Sequence, residues 1–571
     1  MEKDRNKHEL RKDMAIVVFL LPLILFVVYG IYKEQSSYFP LEDVSIQIGE
    51  DSIQNIPLWR NEENGIYYAF LPSETKQVCF DIPWDRNVTI GSETFESGEC
   101  ITDLNWGEEY SISLNTAKAH CVDSGTVVFL LADSVPTLYI TAPNCYDVDQ
   151  LVKEKDNSIR TIVDLYDTKG NLNLSSECTI NGRGNTSWNE KKKPYSLKFD
   201  EAVSLLGMDE QKKWALIANS SDPSLLRNKI AYTLAEQSGC QYTPQTEYVN
   251  VYVNGSFQGI YLLTQQISAE DGCLDWNETE QNYLFEIDGR YEQETNWFMA
   301  GIYGIVYSSN EYIYEDKIRS IEENFASMLS TFSEADSEEF LDYCAKYIDV
   351  ESWIKQYIIS EFLVNVDLDY ASQFFFSEEE STILYAGPIW DYDNSMGIFS
   401  TMDCRDLSPY LQWARGRDGS WFSMLMEHEA FRKEYEEYYE QFFSDLIINM
   451  IEKEIPAYVE CIDSSTHMDA VRWKGGNDTF EEDSEQVINW LTKRKAFYDD
   501  YWNDPESYVR IQFSENGWKD YVYCIKSGTP LDHYPQSYLY GDTSWVDSDG
   551  NVVKKGTIMD DNIKLYPVYE E

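Results

Sequence analysis

The sequence predicts an α+β protein of several domains behind one N-terminal transmembrane helix. Three observations carry this: an uncharged apolar run near the start, period-two alternation in the segments that follow, and helical periodicity from about residue 316 until strands return at the end. At 571 residues the chain has room for three or four domains and a large core. Its 16 Trp and 42 Tyr argue for a folded protein despite a formal charge of −55. That acidity repels phosphate backbones, so nucleic acid is not an expected partner, and any local basic cluster stands out.

Residues 1–13 carry Lys3, Arg5, Lys7, Arg11 and Lys12, and residues 14–32 are uncharged and just long enough to cross a bilayer. The Lys/Arg asymmetry predicts a cytoplasmic N-terminus and an extracytoplasmic bulk. A cleaved signal peptide competes, but the run is long and no small-x-small site follows, which favours an uncleaved anchor. Residues 33–55 read as a polar, acidic linker.

Residues 56–145 show short alternating runs, among them Tyr67–Leu71 and Val127–Leu130, separated by turn residues, as in a β-sandwich-like module. No catalytic cluster stands there, so the module reads as a spacer or as a contact to wall or surface polymer. Cys79, Cys100, Cys121 and Cys145 fall within it, and in an exported chain some of the 11 cysteines would pair. No C-x-x-C pair is present, and the five histidines are far apart, which argues against a zinc ribbon, a two-His metal site or a Ser-His-Asp triad.

Residues 146–505 form a mixed domain. Thr161–Tyr166 reads as a strand, and Asn254-Gly255 between two apolar runs signals a hairpin. Residues 224–237 read as a helix, with Asp222-Pro223 ahead of them and Gly239 just past the end. Residues 506–571 return to β patterning as a small C-terminal module.

Four segments carry chemistry. Gly182-Arg183-Gly184-Asn185-Thr186-Ser187-Trp188 is a glycine turn beside Lys191-Lys192-Lys193, and a strand-like run follows with Lys198 in it. Such a turn brings main-chain N–H groups close to phosphate oxygens, and a strand lysine would reach the α/β-phosphates; a hairpin with an exposed basic face is the alternative. Arg227 stands on the first turns of the predicted helix, where it would clamp a phosphate or pair with a carboxylate. Glu236, further along, is a helix carboxylate able to position a strand lysine, or an ordinary surface residue. Asp367 follows a helix-patterned run, and Asp391 follows a strand-like run about two dozen residues later, the layout of a phosphoryl-transfer site.

Taken in order, these motifs resemble the CotH (spore coat protein H) kinase family. The carriers are the glycine turn, Tyr195–Phe199, Leu216–Asn219 through Leu225–Lys229, Tyr248–Gly255 with Gly259–Thr264, Asn365–Asp367 and Gly387–Asp393. The resemblance covers about residues 148–450 and implies an atypical protein-kinase-like fold using ATP and Mg²⁺ or Mn²⁺. It implies Asp367 as the catalytic carboxylate and Asp391 as the metal ligand, with Lys198 anchoring phosphate and Arg183, Gly184 and Asn185 forming the nucleotide turn. Five residues after Asp367, where protein kinases carry an asparagine metal ligand, this chain has Ser372, with Asp393 placed to compensate. The expected activity is transfer to Ser/Thr hydroxyls of a protein, the chain itself included, at the bacterial cell surface. A catalytically silent surface or coat protein is the alternative. The C-terminal module resembles a Listeria–Bacteroides-type β repeat.

Overall fold

The computed structural model describes residues 40–48, 54–83, 85–101, 103–132, 134–142, 152–270, 281–378, 381, 383–398, 409–415, 419–514, 521–532 and 543–569. The predicted membrane segment, 14–32, and Cys145 lie outside them. Among the described residues, no helix is long and apolar enough to cross a membrane. The chain forms two compact units, the first ending at Leu131, the second running from Ala132 and also taking Pro72–Glu74.

The first unit is all β. A four-stranded sheet runs Gln54–Pro57, Ser45–Ile48, Val78–Asp81, Cys100–Ile101. A six-stranded sheet is built around Tyr67–Leu71, Cys121–Leu131 and Glu109–Thr116. Alternation buries Ile46, Phe80, Val88, Leu114 and Phe129 completely. Cys79 and Cys100 stand opposite each other in the smaller sheet and form a disulfide, while Cys121 is free and exposed.

The second unit opens with a closed seven-stranded barrel: β1 Thr137–Thr141, β2 Ser158–Tyr166, β3 Leu172–Gly182, β4 Tyr195–Val203, β5 Gln211–Ile217, β6 Thr246–Val253 and β7 Ser256–Gln265. The order is β1-β2-β3-β4-β5-β7-β6, and parallel pairing of β1 with β6, Thr137 opposite Asn250, closes it. Its interior is filled by Leu138, Val163, Cys178, Leu197, Trp214, Val251 and Leu263, among others. The sequence reading ends the preceding module at residue 145, yet β1 belongs to the barrel, because only a strand in that place pairs both β2 and β6. The Asn254-Gly255 turn joins β6 to β7 with both residues at positive φ, 48° and 80°.

Between β5 and β6 stands helix α1, Arg227–Gln237. The Asp222 carboxylate accepts from the Arg227 backbone N–H at 2.9 Å and ties the entry of the helix. The apolar face of α1, with Ile230 and Leu234, shares one core with Tyr248 and Leu262 of the barrel and with the helical half. That half holds a five-stranded sheet, ordered β9-β10-β8-β11-β12, of β8 Tyr283–Ile287, β9 Trp297–Ala300, β10 Tyr303–Ser309, β11 Gln373–Ser377 and β12 Tyr385–Ala386. The helical half also holds α2 Glu315–Phe332, α3 Val350–Phe362, α4 Ile455–Trp473, which packs on β7 of the barrel, and α5 Phe480–Asn503. Asp349 caps α3, accepting from Ser352 N–H at 2.9 Å.

The C-terminal strands, Tyr508–Phe513 and those after it, form a five-stranded sheet whose Ile511, Phe513, Trp545 and Leu565 are fully buried in the same core. Leu411 N–H donates to Val522 O and Cys524 N–H to Pro409 O, so the tail is stitched to the helical half.

Candidate functional site

Two loops meet at the site. The first leaves α3 through Val364, at φ 49°, and turns on Asn365, whose Oδ1 accepts from Asp367 N–H at 3.1 Å. The second, after β12, carries Asp391 at φ 65° and Met396 at φ 48°. Asp369, at φ 68°, and Ser372, at φ 57°, are also held in the left-handed region. For residues with a Cβ this conformation costs about 1 kcal/mol or more, and such strain gathers at functional sites. Val366 N–H donates to Asn394 O at 3.3 Å and joins the two loops.

The carboxylates there crowd one another. Burial, and then the charge of Asp391, push Asp367 up to about 6, against the Asn394 hydrogen bond and the charge of Arg290. Burial also raises Asp391, opposed by the Arg183 guanidinium and by hydrogen bonds from Ser372 and Asp393. Asp393 is driven well above the carboxylate range by burial and by Asp391, Asp222 and Asp367. Asp393 is thus the more strongly raised of the two, as expected when like charges share a buried site. Glu286 on β8, pushed to about 8 by burial and by Asp288, Glu294 and Asp391, extends the cluster. The guanidinium of Arg183 also lies over the Trp390 ring, 5.3 Å from its centroid.

Such a set of hard oxygen donors suits a divalent cation, whose charge would relieve the repulsion. Among the described residues no three His, Cys, Asp or Glu side chains converge into a preformed cage. The side chains that could hold such a cation are Asp391 with Asp393 or Ser372.

The structure thus brings Asp367, Ser372, Asp391, Asp393 and Arg183 together, and it places the other sequence-derived candidates elsewhere. Lys198 projects from the outer face of β4, half exposed, and pairs with Glu270 at 3.0 Å; Glu270 also holds Lys213. Of the lysine run, Lys192 is buried against Asp469 at 2.6 Å, and Lys193 donates to Trp188 O. Gly184 takes φ 77°, and a Cβ there would collide with Ser187 Oγ. Lys155 donates to Gly184 O and Asn185 Oδ1. Arg227 is buried, paired with Asp222, and its Nε and Nη2 donate to Ser395 O and Met396 O at 2.9 and 3.3 Å. It braces the Asp391 loop from behind.

Sequence reasoning missed three contributors. Arg290 and Asn394 act on Asp367; Asn394 directly follows the Gly387–Asp393 motif. The third is Arg494 on α5, fully buried. It donates to Phe362 O at 3.0 Å, Glu361 O at 2.6 Å and Tyr410 O, and lies 3.3 Å from the Glu361 carboxylate. Gln412 N–H completes that carboxylate at 2.9 Å. These bonds satisfy the last carbonyls of α3, immediately before the Asp367 loop.

A barrel half, a helical half and paired aspartates on the loops after α3 and β12 define a kinase-like protein. The family model described as CotH kinase protein matches residues 180–498, more than half of the chain, and the chain belongs to that family. No curated protein matches it.

Proposed function

We propose that this chain is a membrane-anchored, extracytoplasmic protein kinase that transfers a phosphoryl group from ATP to Ser/Thr hydroxyls of a protein, itself included. The observation that carries this reading is Asp367, held at about 6 beside the Asp391–Asp393 pair. A carboxylate of that basicity accepts a hydroxyl proton near neutral pH far better than an ordinary aspartate. Asp391, with Asp393 and Ser372, would hold Mg²⁺ or Mn²⁺, which when bound neutralises phosphate charge. Arg183, between Trp390 and the carboxylates, is the cation placed to grip phosphate. The C-terminal strands and the first unit would supply contacts to surface polymer, the former as a repeat-type module.

The test is self-phosphorylation of residues 37–571 with labelled ATP and Mg²⁺ or Mn²⁺. Label in the wild type that is lost in Asp391→Ala and Asp367→Asn supports the reading. No label and no nucleotide binding would favour a silent surface or coat protein, for which the engagement of Lys198 with Glu270 speaks.

A further inference from the structure

We propose that Asn228 is the positioning residue that aims Asp391, an inference resting on the reading of Asp391 as the metal ligand. The Asn228 side chain is 2% exposed. Its Oδ1 accepts the Tyr392 backbone N–H at 2.8 Å, and its Nδ2 donates to Asn219 Oδ1 at 3.1 Å. Asn219 in turn spends its Nδ2 on Leu225 O at 3.4 Å. The relay fixes both amides. With the Asn219 NH₂ committed, its oxygen faces Asn228, so the Asn228 NH₂ faces back and its oxygen is left for Tyr392.

The peptide between Asp391 and Tyr392 is the one whose rotation sets ψ of Asp391, and φ there is already 65°. Holding its N–H fixes the backbone from which the carboxylate projects. The adjacent Arg227 grips the far end of the loop through Ser395 O and Met396 O, and Met396 N–H donates to Leu363 O at 2.7 Å. The first turn of α1 thus holds the loop at both ends, Asn228 beside Asp391 and Arg227 beyond Asp393. Partners that orient a ligand in this way are worth about 10- to 100-fold in metal affinity.

Mn²⁺ binding to residues 37–571 with a non-hydrolysable ATP analogue, read from the EPR signal of free Mn²⁺, tests this. Asn228→Ala should weaken Mn²⁺ about 10- to 100-fold and leave metal-free affinity for the analogue unchanged. Asn219→Ser, which frees the Asn228 amide to turn but keeps its oxygen, should lose less. Wild-type Mn²⁺ affinity in a folded Asn228→Ala overturns the proposal. If that variant fails to fold, unchanged affinity in Asn219→Ser overturns it and a weakened one supports it. Mn²⁺ binding unaltered in Asp391→Ala would instead remove the metal assignment, and the proposal with it.

Discussion

Replacing Arg494 by Met removes a guanidinium that is fully buried and satisfies three main-chain carbonyls and one carboxylate. Met fills much of the volume, so the loss is electrostatic more than steric. The Glu361 carboxylate, itself fully buried, would lose the Arg494 cation while keeping the Gln412 N–H. Breaking one side of such a pair costs about 3–5 kcal/mol. The second unit has roughly 440 residues, so its unfolding entropy is about 0.9 kcal/mol per degree and the melting point should fall by about 3–5 °C. Urea unfolding followed by Trp fluorescence gives the free energy, and calorimetry gives the shift. Glu361→Gln alone should also destabilise, and the double variant should lose less than the sum by about 1–3 kcal/mol. A loss below about 1 kcal/mol in Arg494→Met would refute the argument that this pair holds the end of α3.

Four further outcomes follow from the site and the first unit. The rate of phosphoryl transfer should rise with pH through about 6, as Asp367 ionises, and then level off; a pH–rate profile flat from 5 to 8 in the low-substrate limit, taken here as roughly the range around that value, would rule out this base. Because burial raises Asp367, its contribution to stability is full below its ordinary range and lost as pH rises through about 6, so Asp367→Asn should be the more stable protein at neutral pH and lose that advantage in acid. Arg183→Ala should weaken nucleotide binding while Lys198→Ala leaves it nearly unchanged, measured by calorimetric titration; the reverse order would restore the phosphate role to Lys198. Replacing Cys79 and Cys100 by Ser opens a cross-link with a sequence separation of 21 and should cost the first unit about 3 kcal/mol in urea unfolding.

Local signals were legible in the sequence, whereas long-range ones were not. The Asn-Gly hairpin and helix α1 follow from turn chemistry and periodicity, and the helix begins at Arg227 because Asp222 to Leu226 are spent on the turn that caps it. Asp367 and Asp391 were found through their elements, since each follows a clean helix or strand pattern. The outward direction of Lys198 was readable in principle, because Leu197 and Phe199 are buried on either side of it and period two sends it to the other face. The placement of Arg183 against Asp391, of Ser372 against Asp391 and of Arg494 behind α3 depends on tertiary packing that no spacing encodes. The extent of the barrel was missed for the same reason.

Closure of that barrel sets a rule for dissecting the protein. Strands β1 and β2 lie wholly before residue 180, where the family match begins, and so does most of β3. A fragment cut at that point would leave β4 and β6 with bare backbone donors and acceptors along their flanks, an invitation to pair with neighbouring molecules. Ser73 and Glu74 reach further still, bonding Val135 O, Thr137 and Tyr139 around the first barrel strand. Expression of the kinase-like unit should therefore begin upstream of Pro72, and inclusion bodies from shorter versions would report a missing stave and nothing about activity.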